Sequence, residues 1–215
     1  MAEKPDRTLA SPNTPVNAYF GAVRHLVRIA GETEWEADRK ALVALSILMA
    51  VATVETFFNI WFRTVAQHEP YKAHRDQIVA DLKKRNQRGL RYKLKEWPKL
   101  FFKKSLDFSQ GVGKEFLMLV DKRNALMHVT TTCETAEFPG FRTQDMVDVT
   151  DYENLAISDA ESAMHLCEDF MRSFFQLKGD NPEDVLAQLH LWIGRVPFPE
   201  EIERARAQKP QDGTA

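Results

Sequence analysis

The sequence predicts an all-α fold, most simply a helix bundle. Apolar residues recur at helical spacing through nearly the whole chain, proline and glycine punctuate it at intervals of helix length, and no βαβ alternation is present. The 215 residues suffice for one well-filled core. The chain therefore reads as a single helical domain over 15–196, between a polar, proline-punctuated lead over 1–14 and a charged, flexible tail over 197–215.

Each element has a local reason. Pro15 suits the first turn of a helix running to Ala30, with Phe20, Val23, Val27 and Ala30 on one stripe and Gly31 as its end. A long helix from Glu34 to Gln67 is apolar all round at its centre, which marks it as the most buried element; Pro70 stops it. Tyr71 to Asn86 is amphipathic, with Ile78, Val79 and Leu82 inward and Lys83, Lys84 and Arg85 outward. Gly89 breaks that pattern, and Leu90 to Leu106, interrupted by Pro98, reads as short-helical or irregular.

Gly111 and Gly113 lead into a helix from Lys114 to His128, with Phe116, Leu117, Val120 and Leu126 as core residues. Val129 to Ala156 reads as a long loop carrying a short hairpin, and loops of that length are usually functional or mobile. Ser158-Asp159-Ala160-Glu161 reads as a capping box opening a helix to Lys178, with the stripe Ala163, Leu166, Phe170 and Phe174. Pro182 starts a last helix to Trp192 or Ile193.

Composition excludes little but localises the question. With 29 Lys and Arg against 31 Asp and Glu, the net charge of -2 exerts no global pull on nucleic acid, so a basic footprint must be local. Two cysteines, Cys133 and Cys167, at no metal-ligand spacing, point to a reducing cytoplasm, and Met1 to Pro15 does not read as a signal peptide. Leu42 to Phe62 is long enough to span a bilayer. Glu55 and Asn59 lie inside it, and a mid-span carboxylate costs about 2.5–3.5 kcal/mol on insertion, so the buried centre of a bundle is the preferred reading.

The chemistry concentrates in Arg123-Asn124-Ala125-Leu126-Met127-His128. Arginine fixes phosphate by charge and a forked donor set, and histidine moves protons near neutral pH. Five residues on a helix turn by about 140° and rise about 7.5 Å, so Arg123 and His128 do not share a stripe. Asn124 and His128, four apart, do, and the Asn124 amide is placed to orient the imidazole. An isolated match of this kind arises readily by chance; its context is what distinguishes it.

Lys122-Arg123-Asn124-Ala125-Leu126-Met127-His128 resembles the motif of the HEPN superfamily, the higher eukaryotes and prokaryotes nucleotide-binding domain. The stretch Ser105-Leu106-Asp107-Phe108 and the early helix Ala52-Thr53-Val54-Glu55-Thr56-Phe57-Phe58-Asn59 are similar to the same family, over roughly Arg39 to Lys178. The resemblance implies a helical bundle, often dimeric, with two Arg/His motifs facing one cleft. It implies a metal-independent endoribonuclease needing no cofactor, in which a ribose 2′-hydroxyl attacks the adjacent phosphate and leaves a 2′,3′-cyclic phosphate and a 5′-hydroxyl. His128 would be general acid or base, Arg123 the phosphate anchor and Asn124 the orienter. Such members serve as toxins with an antitoxin or nucleotidyltransferase partner, or as phage-defence effectors. Others are silent modules that bind a partner protein or nucleotide. A homodimer is expected, because two side chains so far apart on one helix converge most simply across a subunit interface.

Glu55 and Asn59 share a face of the most apolar helix. Glu55 either orients Arg123 or His128, with Asn59 in support, or bonds another basic residue structurally. From Lys83 to Lys104 ten basic residues are interrupted by one acid, Glu96, with Tyr92, Trp97, Phe101 and Phe102 interleaved. Lys83, Lys84, Arg85, Arg88, Lys103 and Lys104 are the candidate RNA contacts, against the alternative of a solvated face. The aromatics read as core. Gly111-Val112-Gly113-Lys114 lacks the full spacing of a phosphate-binding loop. His68, His74, His165, His25 and His190 give no metal geometry, and isolated structural roles suit them best.

Overall fold

The computed structural model describes residues 9–84, 89–127, 134–146 and 148–208, and they form an all-α fold with one small hairpin. Helix α1 (Thr14–Glu32) and the 30-residue α2 (Glu36–Val65) form an antiparallel pair. Gly31 lies inside α1 rather than ending it; the turn follows at Thr33, whose hydroxyl donates to the Ile29 carbonyl at 2.6 Å. Helix α2 carries the largest share of the core, including Val43, Ile47, Val54, Phe57, Phe58 and Phe62. Its buried hydroxyls are satisfied within the helix, Ser46 donating to Leu42 O at 2.8 Å and Thr53 to Met49 O at 2.6 Å. By length and composition α2 is able to cross a membrane; 56% of its most apolar window is buried against the rest of the protein.

The third amphipathic segment is shorter than its pattern predicts. A 3₁₀ turn over Lys72–His74 leads into α3 (Arg75–Lys83), which buries Ile78 and Asp81 and leaves Val79 outward. Helix α4 (Leu90–Phe102) runs unbroken through Pro98, against the expectation of an interrupted segment. Pro98 removes one backbone hydrogen bond, but it sits in a stripe of Leu94, Trp97 and Phe101 whose burial outweighs that loss.

Helix α5 (Gly111–Met127) starts at Gly111, so Gly113 is helical and not part of the preceding turn. A Cβ at Gly113 would lie 2.1 Å from the Asp107 carbonyl oxygen, a close approach that only glycine permits. The hairpin expected in the long connection is β1 (Glu134–Phe138) with β2 (Phe141–Met146), antiparallel, pairing Phe138 with Phe141 and irregular between Glu134 and Ala136. A short α6 (Thr150–Glu153) follows.

Helix α7 (Ile157–Lys178) has its N-cap at Ala156, not Ser158. Asp159 occupies the third helical position and accepts the Ala156 N–H at 2.9 Å, one half of the expected box displaced by two residues. Helix α8 (Pro182–Ile193) matches its predicted bounds, and Asn181 caps it by accepting Asp184 N–H at 2.9 Å. The segment after Pro197, expected as a flexible tail, instead forms α9 (Pro199–Ala207), which packs on α8 and buries Ala205.

Rings from α2, α4 and α7 meet at the centre. Phe174 contacts Phe57, Phe58, Trp61, Phe62, Phe102 and Phe175, and Phe116 of α5 stacks on Phe170 at 4.1 Å between centroids. The early Phe116 meets the late Phe170, whereas the late Lys122 meets the early Asp159, so α5 runs antiparallel to α7.

Candidate functional site

The last turns of α5 present the Arg/His segment at one end of the bundle. Lys122 donates to Asp159 at 2.7 Å and ties this turn to the start of α7. Burial pushes the Asp159 carboxyl up, but the Lys122 hydrogen bond and the Ala156 N–H outweigh it and hold it below the usual aspartate range. Arg91 at the start of α4 pairs with Asp121, so α4 begins beside the same end.

Arg123 is half-buried in that turn. Its Nη1 points at the Met127 sulfur at 3.6 Å, one helical turn on, and its buried Nε has no hydrogen-bond partner among the described residues. A thioether is a weak acceptor, and Arg123 forms no ion pair with any described residue. Asn124 beside it is also half-buried. His128 lies outside the described residues, as do Arg85 and Arg88.

Glu55 pairs with Lys93 of α4, and its relation to His128 falls outside the described residues. Its carboxylate accepts Lys93 Nζ at 3.1 Å, and no hydrogen bond among the described residues joins it to Arg123. The Lys93 side chain is 8% exposed and that of Glu55 33%, so the pair is buried on the lysine side and open to water on the carboxylate side. Asn59, one turn along α2, has a buried Oδ1 without a partner among the described residues.

The basic stretch divides. Lys93 faces inward, Arg91 pairs with Asp121, and Lys99 pairs with Glu96 at 3.1 Å. Lys83 and Lys84 are exposed where α3 ends, near the start of α4; Lys103 and Lys104 are exposed after its far end. The thirteen residues of α4 span about 20 Å, so these are two patches, and Lys83 and Lys84 lie towards the Arg123 end. Trp97 and Phe101 are buried, and Tyr92 and Phe102 pack against the core, which leaves no aromatic of this stretch free to stack a base. Trp97 Nε1 donates to the buried Asp81 at 3.1 Å.

Among the described residues no group of three or more His, Cys, Asp or Glu is placed to hold a metal ion. A second polar cluster carries no signal in the sequence, because its members lie on two helices and the loop between them. His190 of α8 is 3% exposed, with Nε2 at 3.5 Å from Glu201 of α9, and Arg195 Nη2 donates to the same carboxylate at 2.6 Å. No family model, no curated protein and no solved structure matches this chain.

Proposed function

We propose that this protein is a metal-independent endoribonuclease of HEPN type that acts as a homodimer on RNA in the cytoplasm. The observation that carries the reading is Arg123, which among the described residues has a buried Nε without a partner and an Nη1 that meets only a thioether. An arginine so placed suits a phosphate, which recovers the hydrogen bonds the helix leaves unmade. In this reading Arg123 anchors the scissile phosphate and stabilises charge developing on its oxygens. His128, next in the chain after Met127, takes the proton from the attacking 2′-hydroxyl or gives one to the leaving 5′-oxygen, with Asn124 as orienter. The O2′–P bond forms as the P–O5′ bond breaks, leaving a 2′,3′-cyclic phosphate and a 5′-hydroxyl.

Lys83 and Lys84, exposed towards the same end, are the basic residues best placed to follow the RNA backbone. A toxin or phage-defence role, with an antitoxin or nucleotidyltransferase partner, follows from the same resemblance. The second reading is a catalytically silent module of this family that binds a partner protein or nucleotide.

Purified protein incubated with RNA in the presence of a chelator separates the two. Cleavage that leaves 2′,3′-cyclic phosphate ends, and vanishes in both Arg123→Ala and His128→Ala, is the expected result. A folded, dimeric sample that cleaves no RNA overturns the enzyme and favours the silent module.

A further inference from the structure

Beyond the Arg123 end, the C-terminal helices enclose a separate cleft of about 320 Å3 between α7, α8 and α9. Arg172 of α7 and Arg204 of α9 line it from different helices, with Gln176 and Gln208 beside them, and Val185 and Leu186 of α8 form part of an apolar wall. On α7, Arg172 lies thirteen residues beyond Asp159, about 20 Å along the helix, so this cleft is remote from the Arg123 turn.

The charges here are unbalanced. Arg204 forms no ion pair with a described residue, and the acid nearest Arg172 is Asp169, at 3.9 Å and largely exposed. The one lining carboxylate, Glu201, is already engaged: its Oε1 accepts Arg195 Nη2 at 2.6 Å, its Oε2 accepts the Phe198 N–H at 2.8 Å, and His190 Nε2 faces it at 3.5 Å. Two guanidiniums line one cleft whose single carboxylate is already shared by Arg195 and His190, so positive charge is in excess there and favours an anion. The field is felt by its neighbours. Burial chiefly lowers the His190 pKa, and the Arg195 and Arg172 charges lower it further.

We infer that this cleft binds a small phosphate monoester of mononucleotide size, its phosphate held between Arg172 and Arg204 and its body against Val185 and Leu186. A monoester carries a charge of about -1.5 to -2 at neutral pH, which matches two guanidiniums. The volume is at the lower end of the range of about 300–1,000 Å3 for small-molecule sites, which admits a mononucleotide but no longer chain. A ligand bridging the two arginines clamps α9 to α7. Otherwise α9 is held by the Glu201 contacts, the burial of Ala205 and an Arg206–Glu183 pair at 3.5 Å.

AMP, ribose 5-phosphate and inorganic phosphate are the probes, each titrated at millimolar concentration against the full chain. The readouts are thermal melting and hydrogen exchange across Pro199–Gln208. AMP is expected to raise the melting temperature and slow exchange in α9. Arg172→Gln and Arg204→Gln, both exposed or half-exposed side chains whose loss leaves the fold intact, are each expected to weaken binding by about tenfold or more. Ribose 5-phosphate binding as AMP does also supports the site, with the sugar alone filling the wall. The site is overturned by no response to either ester, by a response retained in the double variant Arg172→Gln/Arg204→Gln, or by inorganic phosphate binding as tightly as the esters. AMP binding lost in Arg123→Ala but kept in Arg204→Gln places the ligand at the other end of the bundle and also overturns it. None of these readouts uses RNA cleavage, so their failure is distinct from failure of the ribonuclease reading.

Discussion

Replacing Glu55 by glutamine separates a structural carboxylate from a catalytic one. At the observed 3.1 Å the attraction between Glu55 and Lys93 is about 5 kcal/mol at an effective dielectric of about 20, opposed by the desolvation of the lysine. Removing one partner of a fully buried pair costs about 3–5 kcal/mol. The Glu55 side chain is 33% exposed, and water screens part of the interaction, so Glu55→Gln is expected to cost about 2–3 kcal/mol. That corresponds to a drop of about 5–10 °C in melting temperature for a domain of this size. Lys93→Met is expected to cost less, about 1 kcal/mol, because it leaves behind a carboxylate that water reaches rather than a buried ammonium.

The double variant completes the cycle. If the pair is the reason for the loss, Glu55→Gln/Lys93→Met is more stable than the sum of the single losses implies, by about 1–2 kcal/mol in urea denaturation. RNA cleavage per folded molecule stays at the wild-type rate in Glu55→Gln. The reasoning is refuted if Glu55→Gln matches wild-type stability within about 0.5 kcal/mol or if the two losses simply add. Normal stability with lost cleavage returns Glu55 to the catalytic role.

Phe174→Ala removes the ring that touches six other aromatics and is expected to cost about 3–5 kcal/mol, read as a lower urea midpoint. Gly113→Ala forces a methyl group against the Asp107 carbonyl, 2.1 Å from the new Cβ, and is expected to cost about 1–3 kcal/mol by the same measurement. Asp159→Asn weakens both the α7 cap and the Lys122 contact, at about 1 kcal/mol at neutral pH. Because the folded Asp159 carboxyl is held below its ordinary value of 3.8, its contribution is present above that value and lost as pH falls through the folded one. Melting temperatures of wild type and Asp159→Asn are therefore expected to converge in acid; a gap that is constant with pH counts against the pairing.

What the residues dictate locally was legible without the structure. Helical periodicity identified the buried stripes of α1 and α7, and the apolar centre of α2 marked it as the most buried helix, because both patterns are properties of neighbouring residues alone. Pro182 marked the start of α8, and the hairpin falls within the long connection where one was expected. Local rules failed where distant packing outweighed them. Pro98 remains helical because Leu94, Trp97 and Phe101 need the core, and Gly113, read as part of a turn, is instead a helical position where the Asp107 carbonyl leaves no room for a side chain.

The sites depended on partners that no local pattern names. Lys93 looked like one more solvated base in a charged run, yet it turns inward to a carboxylate 38 residues earlier in the chain. The same run became two patches only once α4 proved continuous and about 20 Å long. The sequence by itself determined the all-α class, the core faces and the chemical character of Arg123-Asn124. Tertiary structure alone decided that Glu55 is matched to Lys93, that Arg123 has no charged partner among the described residues, and that α9 folds back so that Arg204 and Arg172 line one cleft. The physical reason is that burial and periodicity are set by near neighbours, whereas charge pairing is set by whichever residues the completed packing brings within a few ångströms.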